Sequence, residues 1–422
     1  MNVYDELSWR GLVHQTSGED ALREHLFTQG RVMYCGFDPT AKSLHIGNMV
    51  PLLALMRFAK AGHKPMALLG GATGLIGDPS GKDKERQLQD VAKIEAQVLR
   101  IKAQIEDLFA RNGASLTVVN NHDWIGPLTA IELLRDVGKH FTINYMLGKD
   151  SVKGRIDREE SGISYTEFSY MILQSYDFWY LREHRGCSLQ IGGGDQFGNI
   201  TAGLELIRRK GGGDAHAMTF PLITTASGAK FGKSEKGAIY LDPEMTSPYA
   251  FYQYWMNADD RDVVNYLKYF TFLSREEIER LAVAVAERPH LREAQRTLAH
   301  TMTTMVHGRD EADAVVRTSE FLFGKGGLDG VSVSTLRAAL ETAPGKDYAD
   351  KAAIPDLVTL LVELGLCPSK GQARKDLAAG AISVNNAKVA DGYAFPDADF
   401  IGGQLLLVRK GKKNYGVVRL GA

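Results

Sequence analysis

The sequence predicts an α/β protein: a mostly parallel sheet over the first part of the chain, then an all-α region, then a small α+β module. Three observations carry this. Short apolar runs alternate with longer helical patterns over about the first 220 residues, the signature of a parallel sheet covered on both faces. After about Ser247 the periodicity is almost wholly helical. From near Ile354 helices give way to strands again.

The elements follow in order. Arg31 to Phe37 reads as a strand, followed by a turn at Asp38-Pro39-Thr40. Ile46 to Ala61 reads as a helix stopped by Gly62, and Lys64 to Leu69 as a second strand before a glycine-rich turn. Lys84 to Asn112 is expected to be a long helix and Leu116 to Asn120 a strand. Ligands are then expected at the carboxyl ends of the strands. Tyr249 to Phe323 is expected to be helical, with breaks near Asn257, Ser274, Pro289 and Gly308. The expected boundaries are a catalytic domain over 1–246, a helical domain over 247–325, a linker over 326–352 and a terminal module over 353–422. That module reads as helices at Asp356 to Leu364 and Lys370 to Ala379, then strands at Ile382 to Val384, Gln404 to Arg409 and Tyr415 to Leu420.

Composition narrows the class. The 422 residues hold 50 Lys+Arg against 51 Asp+Glu, with 44 % hydrophobic and 24 % charged residues, which is ordinary globular usage. No run of about 18 apolar residues is present, so no membrane span is expected. Met1 to Glu6 does not open a secretory signal, and Cys35, Cys187 and Cys367 are too scattered for a disulfide framework. A cytoplasmic location is expected. The net charge of −1 gives no global hint of nucleic acid. It is a sum over unlike parts: Ile401 to Ala422 carries +5 and no acidic residue, leaving −6 for the remainder.

Two generic nucleotide signatures fail. Gly77 to Asp83 has glycines too close for a P-loop, and Asp83 stands where Ser or Thr should be. Gly192-Gly193-Gly194 does not continue as a dinucleotide fingerprint, because Phe197 takes the last position. This disfavours an oxidoreductase.

Pro39 to Asn48, between a strand and a helix, is the strongest segment. A helix start offers unpaired N–H groups and partial positive charge, so it suits phosphate, with Thr40 and His45 as added donors. Gly47 lets a flat base approach the backbone. The same residues also suit a plain helix start capped by Thr40 or Ser43. Ala229 to Ser234 places Lys230 and Lys233 three apart around Gly232, a mobile pair of charges for phosphates, or simply a solvated basic loop. On a helix over Thr166 to Leu181, Tyr170, Gln174 and Asp177 share one face among apolar neighbours. Such a polar stripe needs water, partners or a ligand.

Taken together, His45-Ile46-Gly47-Asn48 and Lys230-Phe231-Gly232-Lys233-Ser234 resemble the paired signatures of class I aminoacyl-tRNA synthetases. Tyr34 to Thr40 and Gln190 to Ile200 narrow the resemblance to the bacterial-type tyrosyl-tRNA synthetase family, from near the N-terminus to the end of the chain. The resemblance implies a Rossmann-like catalytic domain that joins tyrosine to ATP, then passes it to tRNA(Tyr). It implies that Tyr170, Gln174 and Asp78 receive the α-amino group, that Asp177 and Tyr34 face the phenol hydroxyl, and that Gln190 lines the same pocket. Phenylalanine would then leave buried polar groups unpartnered, an effect for which tyrosyl-tRNA synthetases are the known example. Tryptophanyl relatives would not be expected to carry Tyr34 with Asp177.

The resemblance further implies that Thr40 and His45 hold the γ-phosphate, that Lys230 and Lys233 close over the pyrophosphate, and that Lys82 and Arg86 lie opposite. Cys35 and Asp195 are then expected on the ribose, and Asp38 and Gln196 near the adenylate. Gly36, Gly47, Gly192 and Gly193 would line the nucleoside, with Ser234 in the loop. Asn48 stands where the family often has a second His, which weakens one contact. Mg²⁺ is expected to travel with ATP, with no protein ligand set visible. Leu128 to Met146 resembles a dimer-forming insertion, about 125–165, so a homodimer is expected.

The C-terminal order of segments resembles an S4-type RNA-binding domain. Lys370, Arg374, Lys375, Arg409, Lys410, Lys412 and Lys413 are its expected tRNA contacts, and DNA is not expected. A soluble tail with a basic strand edge is the plainer alternative. An RNA-binding scaffold that had lost the chemistry would not need His45, Asp78, Lys230 and Lys233, all of which are present.

Overall fold

Runs such as Val32–Phe37, Lys64–Leu69 and Cys187–Gly193 contain few exposed positions, as expected of strands covered on both faces. The computed structural model describes residues 2–80, 88–149, 152–153, 163–228, 231–234, 237–324, 327–328, 330–341, 343–411 and 414–421, with side chains at 233 and 234 left out. In it these runs centre a six-stranded sheet of β1 (Gln15–Thr16), β2 (Val32–Phe37), β3 (Lys64–Leu69), β4 (Thr117–Asn120), β5 (Cys187–Gly193) and β6 (His216–Phe220). The order is β1-β6-β5-β2-β3-β4, parallel except for β1. The chain runs outward from β2 on one side and from β5 on the other. The sheet therefore reverses direction between β2 and β5, and a crevice opens at their carboxyl ends.

Short helices α1 (Val3–Trp9) and α2 (Glu19–His25) precede β2. The helix expected from Ile46 opens as one 3₁₀ turn over Ile46–Asn48 and becomes α3 (Met49–Lys60). Pro51 fits its first turn, where no N–H is needed. The long helix expected from Lys84 starts later, as α4 (Val91–Arg111), because the Asp90 carboxylate caps it by accepting from Lys93 N. Its Ile94, Val98, Ile101, Ile105 and Leu108 are buried at helical spacing. Then α5 (Tyr165–Arg185) is capped by Ser164 and ended by left-handed Gly186, φ 64°. It is followed by α6 (Phe197–Arg209). Tyr34, Met66, Leu68, Val119, Phe178 and Leu181 share one core between the sheet and α5.

The helical region is α7 (Pro248–Met256), α8 (Asp260–Phe270), α9 (Arg275–Glu287), α10 (Glu293–His307) and α11 (Arg309–Leu322). Its chain breaks fall where expected. The chain clusters into two compact units, 1–242 with 258–294, and 243–257 with 295–422. The first unit keeps α8 because buried Arg10 and Arg57 donate to its terminal carbonyls, including Thr271 O at 3.1 and 2.7 Å.

The second unit holds a five-stranded sheet of β9 (Gly345–Tyr348), β10 (Ile382–Val384), β11 (Ala387–Lys388), β12 (Leu405–Lys410) and β13 (Asn414–Leu420), in the order β11-β10-β12-β13-β9. The stretch expected as a linker instead supplies a helix, α12 (Val333–Ala339), and the edge strand β9, paired in parallel with β13. Two helices, α13 (Leu357–Glu363) and α14 (Lys370–Ala378), cover one face against Leu406, Val408 and Val418. Leu405, Leu407 and Val417 on the other face pack with Phe321 and Leu322 of α11 and Leu336 of α12. Among the described residues no helix is long and apolar enough to cross a membrane.

Candidate active site

The crevice at the carboxyl ends of β2 and β5 is a cleft of about 280 Å³. From the expected set, Tyr34, Cys35, Gly36, Asp38, Thr40, Asn48, Asp78, Tyr170, Gln174, Asp177, Gln190, Gly192, Gly193, Asp195 and Gln196 line it. Lys82, Arg86 and Lys230 lie outside the described residues, as do Lys412 and Lys413. Lys233 and Ser234 are placed only as a short strand, β7 (Lys233–Ser234), paired with β8 (Gly237–Ala238).

One wall is a buried polar network. Asp177 is 2 % exposed and accepts from Trp124 Nε1 at 2.7 Å and Asn121 Nδ2 at 3.0 Å. Asn121 Nδ2 also donates to Thr73 Oγ1, whose hydroxyl donates to Asp38 Oδ1 at 2.9 Å. Tyr170 donates its hydroxyl to Asp38 Oδ2 at 2.8 Å, so it bonds Asp38 directly and not Asp78. Burial pushes the Asp177 carboxyl up to about 7, opposed by the bonds from Asn121 and Trp124. Tyr34 is 1 % exposed, and its hydroxyl has no hydrogen-bond partner among the described residues. Burial first, then Asp177, raises that phenol well above its ordinary value. An orphaned buried hydroxyl costs about 1–3 kcal/mol unless a ligand completes it.

A second network sits beside it. Asp78 accepts from Ser80 N at 2.9 Å and Gln196 Nε2 at 2.6 Å. Asn199 Nδ2 reaches Gln174 Oε1 at 3.1 Å and Gln196 Oε1 at 3.4 Å. Gln190 Oε1 is buried without a partner among the described residues. Among the described residues the lining holds four carboxylates, Asp38, Asp78, Asp177 and Asp195, and no basic residue. The chemistry of such a lining suits an ammonium group and a hydroxyl. Cys35 is no nucleophile, because burial holds its thiol up near 12.

The His45 turn stands beside this cleft, and neither His45 nor Gly47 lines it. His45 Nδ1 accepts from Gly47 N at 3.0 Å, which leaves the ring proton on Nε2, while Asn48 Oδ1 accepts from His45 N. Asn48 keeps its Nδ2 donor for a ligand. His45 itself caps the turn, not Thr40 or Ser43. A Cβ at Gly47 would come within 2.7 Å of the His45 ring, so the glycine makes room for the imidazole.

The two basic signatures meet. A Cβ on Gly232, φ +85°, would lie 3.3 Å from Ile46 Cγ1 and 3.6 Å from Gly47 N. Ile46 N donates to Ile239 O, and His45 pairs with Tyr240. Phe231 is buried and stacks on Phe270 of α8, 5.1 Å between centroids.

Sequence reasoning missed Asn121, Trp124, Thr73 and Asn199. Asn121 carried a usable signal: it directly follows β4, at the carboxyl edge of a parallel sheet. In the second unit Lys370, Arg374 and Lys375 are exposed. Arg409 departs from expectation: it is 3 % exposed, and its guanidinium donates to the carbonyls of Leu322 and Phe321. Lys410 pairs with Asp376 at 2.7 Å.

With this geometry described, relatives become informative. Residues 28–324 match the model for tRNA synthetases class I (W and Y), and residues 337–418 that for the tyrosine–tRNA ligase SYY-like C-terminal domain. The chain is 52 % identical to the tyrosine–tRNA ligase of Geobacillus kaustophilus over 423 aligned residues, covering 99 % of this chain and all of the relative. The chain belongs to the tyrosine–tRNA ligase family. The Streptomyces griseus tyrosine–tRNA ligase is 51 % identical, with 100 % of this chain and 99 % of the relative covered. Among solved structures, a C-terminally truncated Aspergillus nidulans mitochondrial tyrosyl-tRNA synthetase superposes with TM-score 0.69 at 33 % identity, over 76 % of this chain and 94 % of that one. An Archaeoglobus fulgidus tyrosyl-tRNA synthetase shares the fold at TM-score 0.55 and 17 % identity, over 75 % of this chain and 100 % of that one.

Proposed function

We propose that this member of the tyrosine–tRNA ligase family joins L-tyrosine to ATP and passes it to the 3′ end of tRNA(Tyr) for protein synthesis. The observation that supports it most is the buried pair at the cleft floor: the Asp177 carboxylate fixed by Asn121 and Trp124, and the Tyr34 hydroxyl without a partner among the described residues. A phenol hydroxyl fits between them, donating to Asp177 and accepting from Tyr34. Asp38, Asp78, Tyr170 and Gln174 then face the ammonium group.

The tyrosine carboxylate oxygen attacks the α-phosphorus of MgATP, and the bond to pyrophosphate breaks. The terminal ribose hydroxyl of the tRNA next attacks the acyl carbon and AMP leaves. Positioning and charge stabilisation suffice for both steps, with no covalent enzyme intermediate. The cleft lining is acidic, so the phosphates rely on Thr40, on His45 with its Nε2 proton, and on Lys82, Arg86, Lys230 and Lys233.

A homodimer is part of the same proposal. Ile131, Leu134 and Ile143 are 70, 55 and 60 % exposed within the insertion, while Val137 and Phe141 pack inward. A patch of this kind is suited to a second copy. The cytoplasm and tRNA contact by Lys370, Arg374 and Lys375 complete the proposal. ATP–pyrophosphate exchange with each amino acid tests it: exchange is expected with tyrosine, and activity with tryptophan alone, or with none, overturns it.

A further inference from the structure

A second cavity, about 350 Å³, opens at the amino ends of β2 and β5, the edge of the sheet opposite the cleft. Its chemistry is unlike the cleft's. Arg31, Arg182, His25, Ser188 and Asp214 line it, with Gly30, Val32 and Gly186 leaving space. Arg31 enters β2, Ser188 belongs to the start of β5, and Arg182 sits in the last turn of α5.

Both arginines are held by one backbone bond each. Arg31 Nε donates to His25 O at 3.1 Å, and Arg182 Nε to Gly212 O at 2.8 Å. Neither forms an ion pair among the described residues, although Asp214 lines the same cavity. The Nε anchors fix each guanidinium plane and leave its terminal nitrogens as donors. His25 Nε2 lies 2.8 Å from the hydroxyl of Ser188, which is 4 % exposed, and the His25 ring packs on His216 at 4.5 Å.

We infer that this cavity binds a small oxyanion of the phosphate class, held between Arg31 and Arg182 with Ser188 and His25 as further hydrogen-bond partners. Forked guanidinium groups suit such an anion, and two of them line this one concave site. The surrounding charges agree. Burial, then His216, Arg31, Arg182 and His63, push the His25 ring down to about 4. The His216 ring is lowered by burial, Arg31 and Arg182, and raised only by Asp214.

Inorganic phosphate is the probe, titrated calorimetrically into the full chain whose cleft is filled with a sulfamoyl analogue of tyrosyl-adenylate. Saturable binding with half-saturation below about 10 mM is expected, equivalent to about 2.7 kcal/mol. Arg182→Gln is expected to weaken it at least 10-fold, and Arg182→Lys less. Tyrosine-dependent exchange is expected to stay within 2-fold in both, since the site lies at the other end of the strands. Where a variant does not fold, the His25 Cε1–H resonance of the unaltered protein replaces it, and phosphate is expected to shift it. No saturation, an unmoved His25 resonance, or equal affinity in Arg182→Gln overturns the site. None of these outcomes bears on tyrosine activation.

Discussion

The cleft and the basic C-terminal end use polar side chains in opposite ways. In the cleft lining, Asp177, Tyr34 and Gln190 are buried, and Tyr34 Oη and Gln190 Oε1 have no partner among the described residues. In the second unit, Arg409 is as deeply buried, but its Nη2 donates to the carbonyls of Leu322 and Phe321 at the end of α11, and its Nε is left without a partner among the described residues. Arg419 likewise donates to Leu340 O and Ala343 O. On the proposed function, one region holds its polar groups for a ligand, while the other turns them to its own backbone. Residue type alone does not separate these cases. What separates them is whether protein partners complete the group.

The contrast can be broken most sharply at Asp177. Asp177→Ala is expected to lower kcat/KM for tyrosine in exchange about 1000-fold, some 4 kcal/mol, because a buried charged partner is lost. A loss under 10-fold would place the carboxylate outside recognition. Lys233→Ala is expected to slow exchange about 100-fold with tyrosine affinity nearly unchanged, as for a phosphate donor used in the transition state. Equal loss in both would remove the loop assignment.

On the other side, Arg409→Met is expected to destabilise the fold by about 2 kcal/mol in urea, leaving two helix-end carbonyls unmet. Its tRNA affinity should keep its salt dependence. The combined Lys370→Ala, Arg374→Ala and Lys375→Ala variant is expected to do the reverse. Stability stays within about 0.5 kcal/mol, while the slope of log affinity against log salt falls by about 2. Interchanged results would undo the distinction.

A further effect is over pH. The folded Asp177 carboxyl lies near 7, above its unfolded value, so the folded state holds this proton more tightly. The stability it contributes is complete below about pH 4 and is lost as pH rises through 7. Without ligand, stability relative to Asp177→Asn is therefore expected to decline between pH 4 and 8. A flat difference would mean that the bonds from Asn121 and Trp124 cancel the cost of burial.

Much of this was legible because it is local. Pro65–Leu69 is an uninterrupted buried apolar run after the exposed Lys64, and Gly62 ends the helix before it. The meeting of the His45 and Gly232 segments was legible as a pair of motifs. The pairing of Asn121 and Trp124 with Asp177 was not, because Asn121 directly follows β4 and Trp124 sits in the short helix His122–Ile125 after it, and only the sheet order brings them to α5. Arg409 was misread because charge was counted without the faces of its strand. Leu405, Leu406, Leu407 and Val408 are all buried, so β12 is covered on both sides. Arg409 shares the face of Leu405 and Leu407, toward α11. The stretch over 326–352 reads as small and polar, yet its Gly345 lets β9 lie against β13, where a Cβ would meet Val417 O at 2.5 Å.

The most direct test of tyrosine recognition is the ratio of kcat/KM for tyrosine to that for phenylalanine in ATP–pyrophosphate exchange, in the unaltered protein and in Tyr34→Phe. The orphaned Tyr34 hydroxyl implies a ratio that falls about 10-fold or more in the variant, through a loss on tyrosine and a gain on phenylalanine. An unchanged ratio would contradict it, showing that the Tyr34 hydroxyl does not read the phenol.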